Sequence, residues 1–110
     1  MPRVFIPQIT EHYDTHARRF VPTFDFSSAA VFGQLTPVLD RSDDPMFLPT
    51  LMGKIGDKLE SFSPEDYFIA VGDPSVIAAC SGFIFQKWNA MKMLKWDKHL
   101  KQYIQLEIEL

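Results

Sequence analysis

The sequence predicts an α/β fold: a small mixed sheet of four or five strands, two crossover helices and a C-terminal antiparallel hairpin. Apolar residues recur at helical spacing between residues 48 and 62, and apolar and polar residues alternate strictly from 103 to 110. A second apolar stretch, divided by the turn Gly-Asp-Pro at 72–74, indicates a buried strand followed by a buried helix. The resulting order of strand, helix, strand, helix, strand between residues 35 and 96 is typical of parallel strands joined by crossovers.

Length and composition indicate a globular protein with one core. The chain has 110 residues, of which 46% are hydrophobic and 23% charged, so we expect residues 1–110 to form a single α/β domain. The net charge of −3 argues against nonspecific electrostatic binding to nucleic acid, because phosphate binding needs a basic face.

Cysteine content and hydropathy bear on the compartment. One cysteine cannot form an internal disulfide, which suits a reducing cytosol. The N terminus lacks the apolar run of a signal peptide, and the longest apolar stretch, 76–85, is shorter than the roughly 20 residues that span a bilayer. We therefore expect a soluble protein of the cytoplasm without membrane contact.

The N-terminal third is punctuated by proline and glycine. Val4–Ile6 is a short apolar run closed by Pro7, which predicts an edge strand or an extended arm, since proline cannot donate to a ladder. We interpret residues 1–34 as an irregular N-terminal arm in which Ser27 or Ser28 could cap a short helical turn.

A strand and a helix follow this arm. Leu35–Leu39 predicts a strand that Pro37 confines to a sheet edge. Residues 44–62 then carry the pattern of an amphipathic helix, which begins at Asp44-Pro45 or near Pro49 because proline is tolerated in a first turn. Its apolar positions are Leu48, Leu51, Met52, Ile55, Leu59 and Phe62, and its polar positions include Lys54, Asp57, Lys58 and Glu60.

The second half begins with a buried strand and a buried helix. Tyr67–Val71 predicts the strand, and Ser75–Trp88 predicts a helix that is apolar nearly all round and is therefore largely covered. Ala78 and Gly82 predict a small-residue face that allows close approach to the sheet. Cys80, in the most apolar stretch, is predicted to be an inert buried thiol.

A hairpin is predicted to end the chain, with 91–96 paired to 103–110 through the turn 97–102. One pairing register places matching side chains opposite each other on both faces of the hairpin. It places Met93 opposite Leu106 and Met91 opposite Ile108 on the apolar face, and Trp96 opposite Tyr103 and Lys92 opposite Glu107 on the polar face.

Asp73 is the weak candidate for a catalytic residue. It follows the strand Tyr67–Val71, and ligands in α/β sheets bind outside the carboxyl ends of strands, where a carboxylate could act as a general base or hold magnesium. Asp before Pro is also a favoured helix start, so a capping role for Asp73 explains the same residues. The segment lacks the GxGxxG fingerprint and the lysine of a P-loop.

His12 and His16 are weak candidates for metal ligands. On a helix, two histidines four residues apart could share a metal ion, with Glu11 or Asp14 as a third ligand. The order differs from the HExxH motif, and the segment has no apolar periodicity to hold it rigid. A solvated connector is the favoured interpretation, and we expect no cofactor.

The C-terminal third interleaves lysines with aromatic residues. The residues concerned are Lys87, Trp88, Lys92, Lys95, Trp96, Lys98, Lys101 and Tyr103. Bases stack on aromatic rings while lysines hold phosphates, so single-stranded nucleic acid is one candidate partner. Lysines also protect exposed strand edges from aggregation, and the acidic balance of the chain favours that role.

Apolar residues exceed what one small sheet can bury, which indicates a contact surface. We assign binding to Phe83, Phe85, Trp88, Lys95, Trp96 and Tyr103, with the N-terminal Phe cluster (Phe20, Phe24 and Phe26) as a further contributor. We expect a non-enzymatic protein that binds a protein partner or another copy of itself. The alternatives are a small nucleotide- or metal-dependent enzyme using Asp73, and nucleic-acid binding through the hairpin.

Three segments resemble those of short tailed-bacteriophage proteins of unknown function. These are Gly72-Asp73-Pro74 with Ile77 and the alanines after it, the stretch Leu94-Lys95-Trp96-Asp97 before an alternating strand, and an Asp-x-Ser-x-Ala-x-x-x-Gly pattern within 24–33. The sequence departs from that group at "CSGFIFQKWN", where alanine-rich sequence is expected. The resemblance implies a viral origin and expression in the cytoplasm of an infected bacterial host, and it implies no activity or site.

Overall fold

A computed structural model describes all residues of the chain, 1–110. The strands are β1 (Arg3–Gln8), β2 (Glu11–Asp14), β3 (Arg19–Pro22), β4 (Gln34–Leu39), β5 (Tyr67–Ile69), β6 (Ala90–Asp97) and β7 (Gln102–Glu109). The α-helices are α1 (Leu48–Leu59) and α2 (Pro74–Trp88), and short 3-10 helices span Ser27–Val31 and Pro45–Phe47. Neither α-helix has the length and apolar character needed to cross a membrane.

The main sheet has five strands in the order β4-β1-β5-β6-β7, and β2 and β3 form a separate hairpin. Strands β4, β1, β5 and β6 are parallel, and β7 runs antiparallel to β6. The predicted α/β fold with a mixed sheet and a C-terminal hairpin is therefore confirmed. The hairpin register is also confirmed, with Met93 opposite Leu106 and Trp96 opposite Tyr103.

β1 is an interior strand of the sheet, and the predicted edge position of Val4–Ile6 is wrong. The strand pairs with β4 on one side and with β5 on the other. Pro7 is tolerated because β5 pairs only with Val4 and Phe5, so its missing N–H lies beyond the end of that ladder. Pro37 lies in the edge strand β4, as predicted.

Residues 1–34, interpreted as an irregular arm, contain β1, the β2–β3 hairpin and the 3-10 helix Ser27–Val31. Neither Ser27 nor Ser28 caps that helix: Phe26 is its N-cap, and the carboxylate of Asp25 accepts from the N–H of Ser27 at 2.9 Å. Gly33 follows the helix where the chain passes Pro2. A Cβ at position 33 would lie 2.4 Å from the Pro2 carbonyl oxygen, so only glycine fits.

Two cores cover the two faces of the sheet. Both α-helices pack on one face, and that core contains Phe5, Val38, Leu39, Ile55, Leu59, Phe62, Phe68, Val76, Cys80, Ile84 and Met91. The N-terminal segment packs on the other face, where Val4, Ile6, Phe26, Ala29, Ile69 and Leu94 are buried. The connection from β1 to β4 thus crosses one face of the sheet, while α1 and α2 cover the other.

α2 contacts the sheet through Val76, Cys80 and Ile84, all fully buried. The predicted small-residue face is wrong, because Ala78 and Gly82 are exposed and a Cβ on Gly82 would meet nothing. Larger apolar side chains at helical spacing carry the packing instead. Burial raises the pKa of the Cys80 thiol to about 12, in agreement with the predicted inert role.

The apolar face of β7 is less covered than the alternating pattern predicts. Leu106 and Ile108 remain 38% and 37% exposed. β7 lies at the edge of the sheet, beyond the reach of the helices: α2 packs on β1 and β6, and α1 packs on α2 and β4. The helices therefore leave the outermost strand largely open.

Candidate functional site

A cleft opens where β5 ends and its neighbours continue. β5 pairs only with Lys92–Leu94 of β6, so the last residues of β6 and the start of β7 extend beyond it. Phe24 and Phe26, which follow the β2–β3 hairpin, close the other side. The cleft encloses about 690 Å³ and is largely apolar. It lies at the carboxyl ends of parallel strands, where α/β folds commonly bind ligands.

The walls of the cleft are aromatic. Trp96 and Tyr103, opposite each other across the hairpin, contact edge to face with ring centroids 5.1 Å apart. Phe26 is buried in the core beneath, and its ring centroid lies 6.4 Å from that of Phe24. Trp96 and Phe24 are 44% and 51% exposed, so both rings present apolar surface to solvent.

Charged and phenolic groups also line the cleft. Lys95 and Asp25 contribute to the lining. Hydrogen bonds from the backbone and side chain of Ser27 lower the pKa of Asp25, which keeps the carboxylate ionised. Burial, and then the charge of Asp25, raise the pKa of Tyr103, so its phenol stays neutral and can donate a hydrogen bond. The cleft therefore combines apolar walls with one acidic, one basic and one phenolic group.

The sequence matches the family described as Phage Pam3 gp32-like protein over residues 2–110. The chain belongs to this family. The predicted resemblance to short phage proteins of unknown function is confirmed by that match. Neither the curated proteins nor the solved structures contain a match to the chain.

The predicted binding residues of this phage protein fall into two groups. Lys95, Trp96 and Tyr103 meet in the cleft. Phe83, Phe85 and Trp88 lie on α2: the two phenylalanines are half-buried against the helical core, and the Trp88 indole N–H donates to the Phe62 carbonyl at 2.8 Å.

Sequence reasoning missed Asp25, Val71 and Leu106 as lining residues. It included Phe24 and Phe26 in an N-terminal cluster without placing them beside the hairpin. No local pattern places Phe24 and Phe26, because their position beside the hairpin depends on how β1 pairs within the sheet.

Asp73 of the phage protein caps α2, and the capping prediction is confirmed. Its carboxylate accepts from the N–H of Ser75 at 2.9 Å and from the Ser75 hydroxyl. These hydrogen bonds, the hydroxyl's first, lower the pKa of Asp73. Gly72 adopts a φ of 109°, which favours glycine and lets the chain turn from β5 into α2. Asp73 does not line the cleft.

His12 and His16 do not share a helix. His12 lies in β2 opposite Val21, and His16 lies in the turn that follows. Asp14, two residues from each histidine, accepts from the N–H groups of His16 and Ala17 at 2.8 and 3.2 Å. The structure contains no group of three His, Cys, Asp or Glu side chains placed to hold a metal ion.

The lysines of the C-terminal third are dispersed, and their predicted protection of a strand edge is wrong for β6. That strand lies between β5 and β7, and the edge strand β7 carries Glu107 and Glu109. Lys92 lies over the Tyr67 ring, 4.6 Å from its centroid. Lys98 and Lys101 occupy the turn between β6 and β7.

Proposed function

We propose that this phage protein works by binding a protein of the virus or of its bacterial host through the aromatic cleft, without catalysing a reaction, in the cytoplasm of the infected cell. The observation that carries the proposal is the open cleft of about 690 Å³ with the exposed rings of Phe24 and Trp96 in its walls. Exposed apolar surface of this kind is typical of interaction sites, and Trp and Tyr are enriched among the residues that dominate binding energy.

The surrounding chemistry supports binding over catalysis. Asp73, the candidate for an enzymatic role, lies outside the cleft and uses its carboxylate to begin α2. Asp25 and Lys95 provide one charge of each sign, which can orient a partner segment while the apolar walls supply affinity. An apolar or aromatic anchor side chain of the partner fits this arrangement.

Site-specific photocrosslinking in infected cells tests the proposal. A benzophenone amino acid replaces Phe24 in one variant and Phe47 in the matched control, because Phe47 is also an exposed phenylalanine but lies outside the cleft. We expect a discrete protein adduct from position 24 only. Adding Trp96→Ala should reduce its yield about tenfold or more, as expected for a dominant aromatic contact.

Two results would contradict the proposal. Identical adducts from positions 24 and 47 would mean that the cleft binds no specific protein partner. Loss of the adduct on nuclease digestion would identify the partner as nucleic acid instead. Circular dichroism of each purified variant shows whether the fold is intact, so that a missing adduct is interpretable.

A further inference from the structure

The two edges of the five-stranded sheet are protected to different degrees. Edge strand β4 carries Pro37 within its six residues, and a proline removes a donor from any further pairing. Edge strand β7 has eight residues and contains neither proline nor glycine. A long regular edge of this kind is a template for pairing with another strand.

The backbone groups that β7 leaves free can be assigned. The N–H of Leu110 donates to the carbonyl of Asn89 at 3.0 Å, so this opposed pair is hydrogen-bonded across the hairpin. Hydrogen-bonded and non-hydrogen-bonded pairs alternate along an antiparallel ladder. The backbone groups of Tyr103, Gln105, Glu107 and Glu109 therefore point away from β6, toward the open edge.

The side chains of β7 also remain partly open. Ile104, Leu106 and Ile108 share the face that the helices leave uncovered, and the latter two are more than one-third exposed. An added strand along this edge would extend that apolar face and cover part of it.

We propose that β7 pairs antiparallel with β7 of a second copy of this chain, about a two-fold axis at Gln105. Gln105 then lies opposite Gln105 of the second copy, and the free backbone groups of both strands face one another. Ile104 faces Leu106 of the other copy, which continues the apolar face. Two five-stranded sheets become one continuous sheet.

Charge complementarity favours this register over axes at Leu106 and Glu107, and an axis at Ile104 would pair only residues 102–106 of β7. With the axis at Gln105, Lys101, the turn residue directly before β7, comes level with Glu109 of the second copy, and Glu107 lies opposite Tyr103. An axis at Glu107 would place two Glu107 carboxylates opposite each other, which is unfavourable. An axis at Leu106 would leave Lys101 without a carboxylate opposite it. Dimerisation uses the backbone edge of β7. Tyr103 and Leu106 also line the cleft, but Lys101 and Glu109, which test the dimer, lie outside it.

Sedimentation velocity on the full chain tests the dimer through a charge exchange. Lys101→Glu converts two opposite-charge pairs into two like-charge pairs and should weaken the dimer about tenfold. The double variant Lys101→Glu/Glu109→Lys should restore association. The two residues stand near opposite ends of one strand, so only contact between copies explains the restoration. Lys98→Glu, in the same turn but opposite no charge in this register, is the matched control and should change association less than about twofold.

A second variant tests the backbone pairing. Gln105→Pro removes an N–H that points outward, so the β6–β7 ladder keeps its hydrogen bonds while the dimer is lost. Circular dichroism verifies that this variant remains folded, and Gln105→Thr, which replaces the same side chain but keeps the N–H, is the matched control and should still dimerise. A wild-type protein that is monomeric at about 100 μM, or a dimer that Lys101→Glu does not weaken, overturns the proposal. So does failure of the double variant to restore association. Dimer loss without any change in photocrosslinking from position 24 would separate this surface from the cleft.

Discussion

Asp66 accepts hydrogen bonds from both the backbone N–H and the guanidinium of Arg3, at 2.8 and 3.2 Å. The carboxylate side chain is only 3% exposed, and it also accepts from the N–H of Ser63 at 2.8 Å. Arg3 begins β1, and Asp66 directly precedes β5, so this contact joins the starts of the two strands at the centre of the sheet. This contact helps hold β1 in its place between β4 and β5.

Removal of this carboxylate should be costly. Asp66→Ala leaves the part-buried N–H groups of Arg3 and Ser63 and the Arg3 guanidinium without their acceptor, so we expect the free energy of unfolding to fall by about 2–4 kcal/mol. Urea denaturation followed by circular dichroism measures the loss. Glu65→Ala, at the exposed neighbouring position, is the control and should change stability by less than about 0.5 kcal/mol. Equal stability of the two variants would contradict a structural role for Asp66.

The cap of α2 should contribute moderately to stability. Asp73→Ala removes the acceptor for the N–H of Ser75 and should lower the free energy of unfolding by about 1 kcal/mol. Asp73→Ser, which retains a capping oxygen, should recover most of that loss in the same denaturation assay. Unchanged stability of Asp73→Ala would contradict a capping contribution and would favour a chemical role for the carboxylate.

Two glycines of α1 should respond differently to the same substitution. A Cβ on Gly53 would meet no atom within 4 Å, whereas a Cβ on Gly56 would lie 3.1 Å from a ring carbon of Phe83. Gly53→Ala should raise the free energy of unfolding by about 0.5–1 kcal/mol, the usual gain in helix propensity. Gly56→Ala has the same propensity gain but crowds Phe83, so its stability should fall below that of Gly53→Ala by about 1 kcal/mol or more. Equal thermal midpoints would show that Phe83 moves aside freely.

The acid dependence of stability should include a contribution from Asp43. Lys54 donates to Asp43 at 2.6 Å and to Asp40 at 2.8 Å, and the hydrogen bond from Lys54, followed by that from the Asp40 backbone, lowers the pKa of Asp43. The folded state then binds this proton less readily than the unfolded state does. The stabilisation is therefore complete above the unfolded pKa, about 4, and is lost as the pH falls through the lower folded value.

Asp43→Asn tests the predicted loss of stability at low pH. The difference in unfolding free energy between the wild type and the variant should be largest near pH 7 and should shrink as the pH falls below about 4. Asp57→Asn, on the exposed face of the helix that carries Lys54, is the control for loss of one negative charge from the same helix. A wild-type advantage that persists unchanged into acid would mean that the charge on Asp43 is unimportant.

Features with local causes were predictable. The alternation in β7 and its opposition to β6 specified the hairpin register, because a shift of one residue would exchange the two faces. The 3.6-residue period predicted α1, and Asp73 before Pro74 predicted the start of α2. Three of the six residues assigned to binding, Lys95, Trp96 and Tyr103, belong to this hairpin, and the structure places all three in the cleft.

By itself, the sequence therefore determined the α/β class, the two helices and the pairing of β6 with β7, since each depends on residues close along the chain. Only the tertiary structure decided that β1 is an interior strand, that Phe24 and Trp96 line the same cleft, and that the apolar face of β7 stays open. Those outcomes depend on contacts between distant segments, such as Arg3 with Asp66, and on how far two short helices reach across five strands. Periodicity predicts which side of a strand is apolar, but lateral position in the sheet decides whether anything covers it.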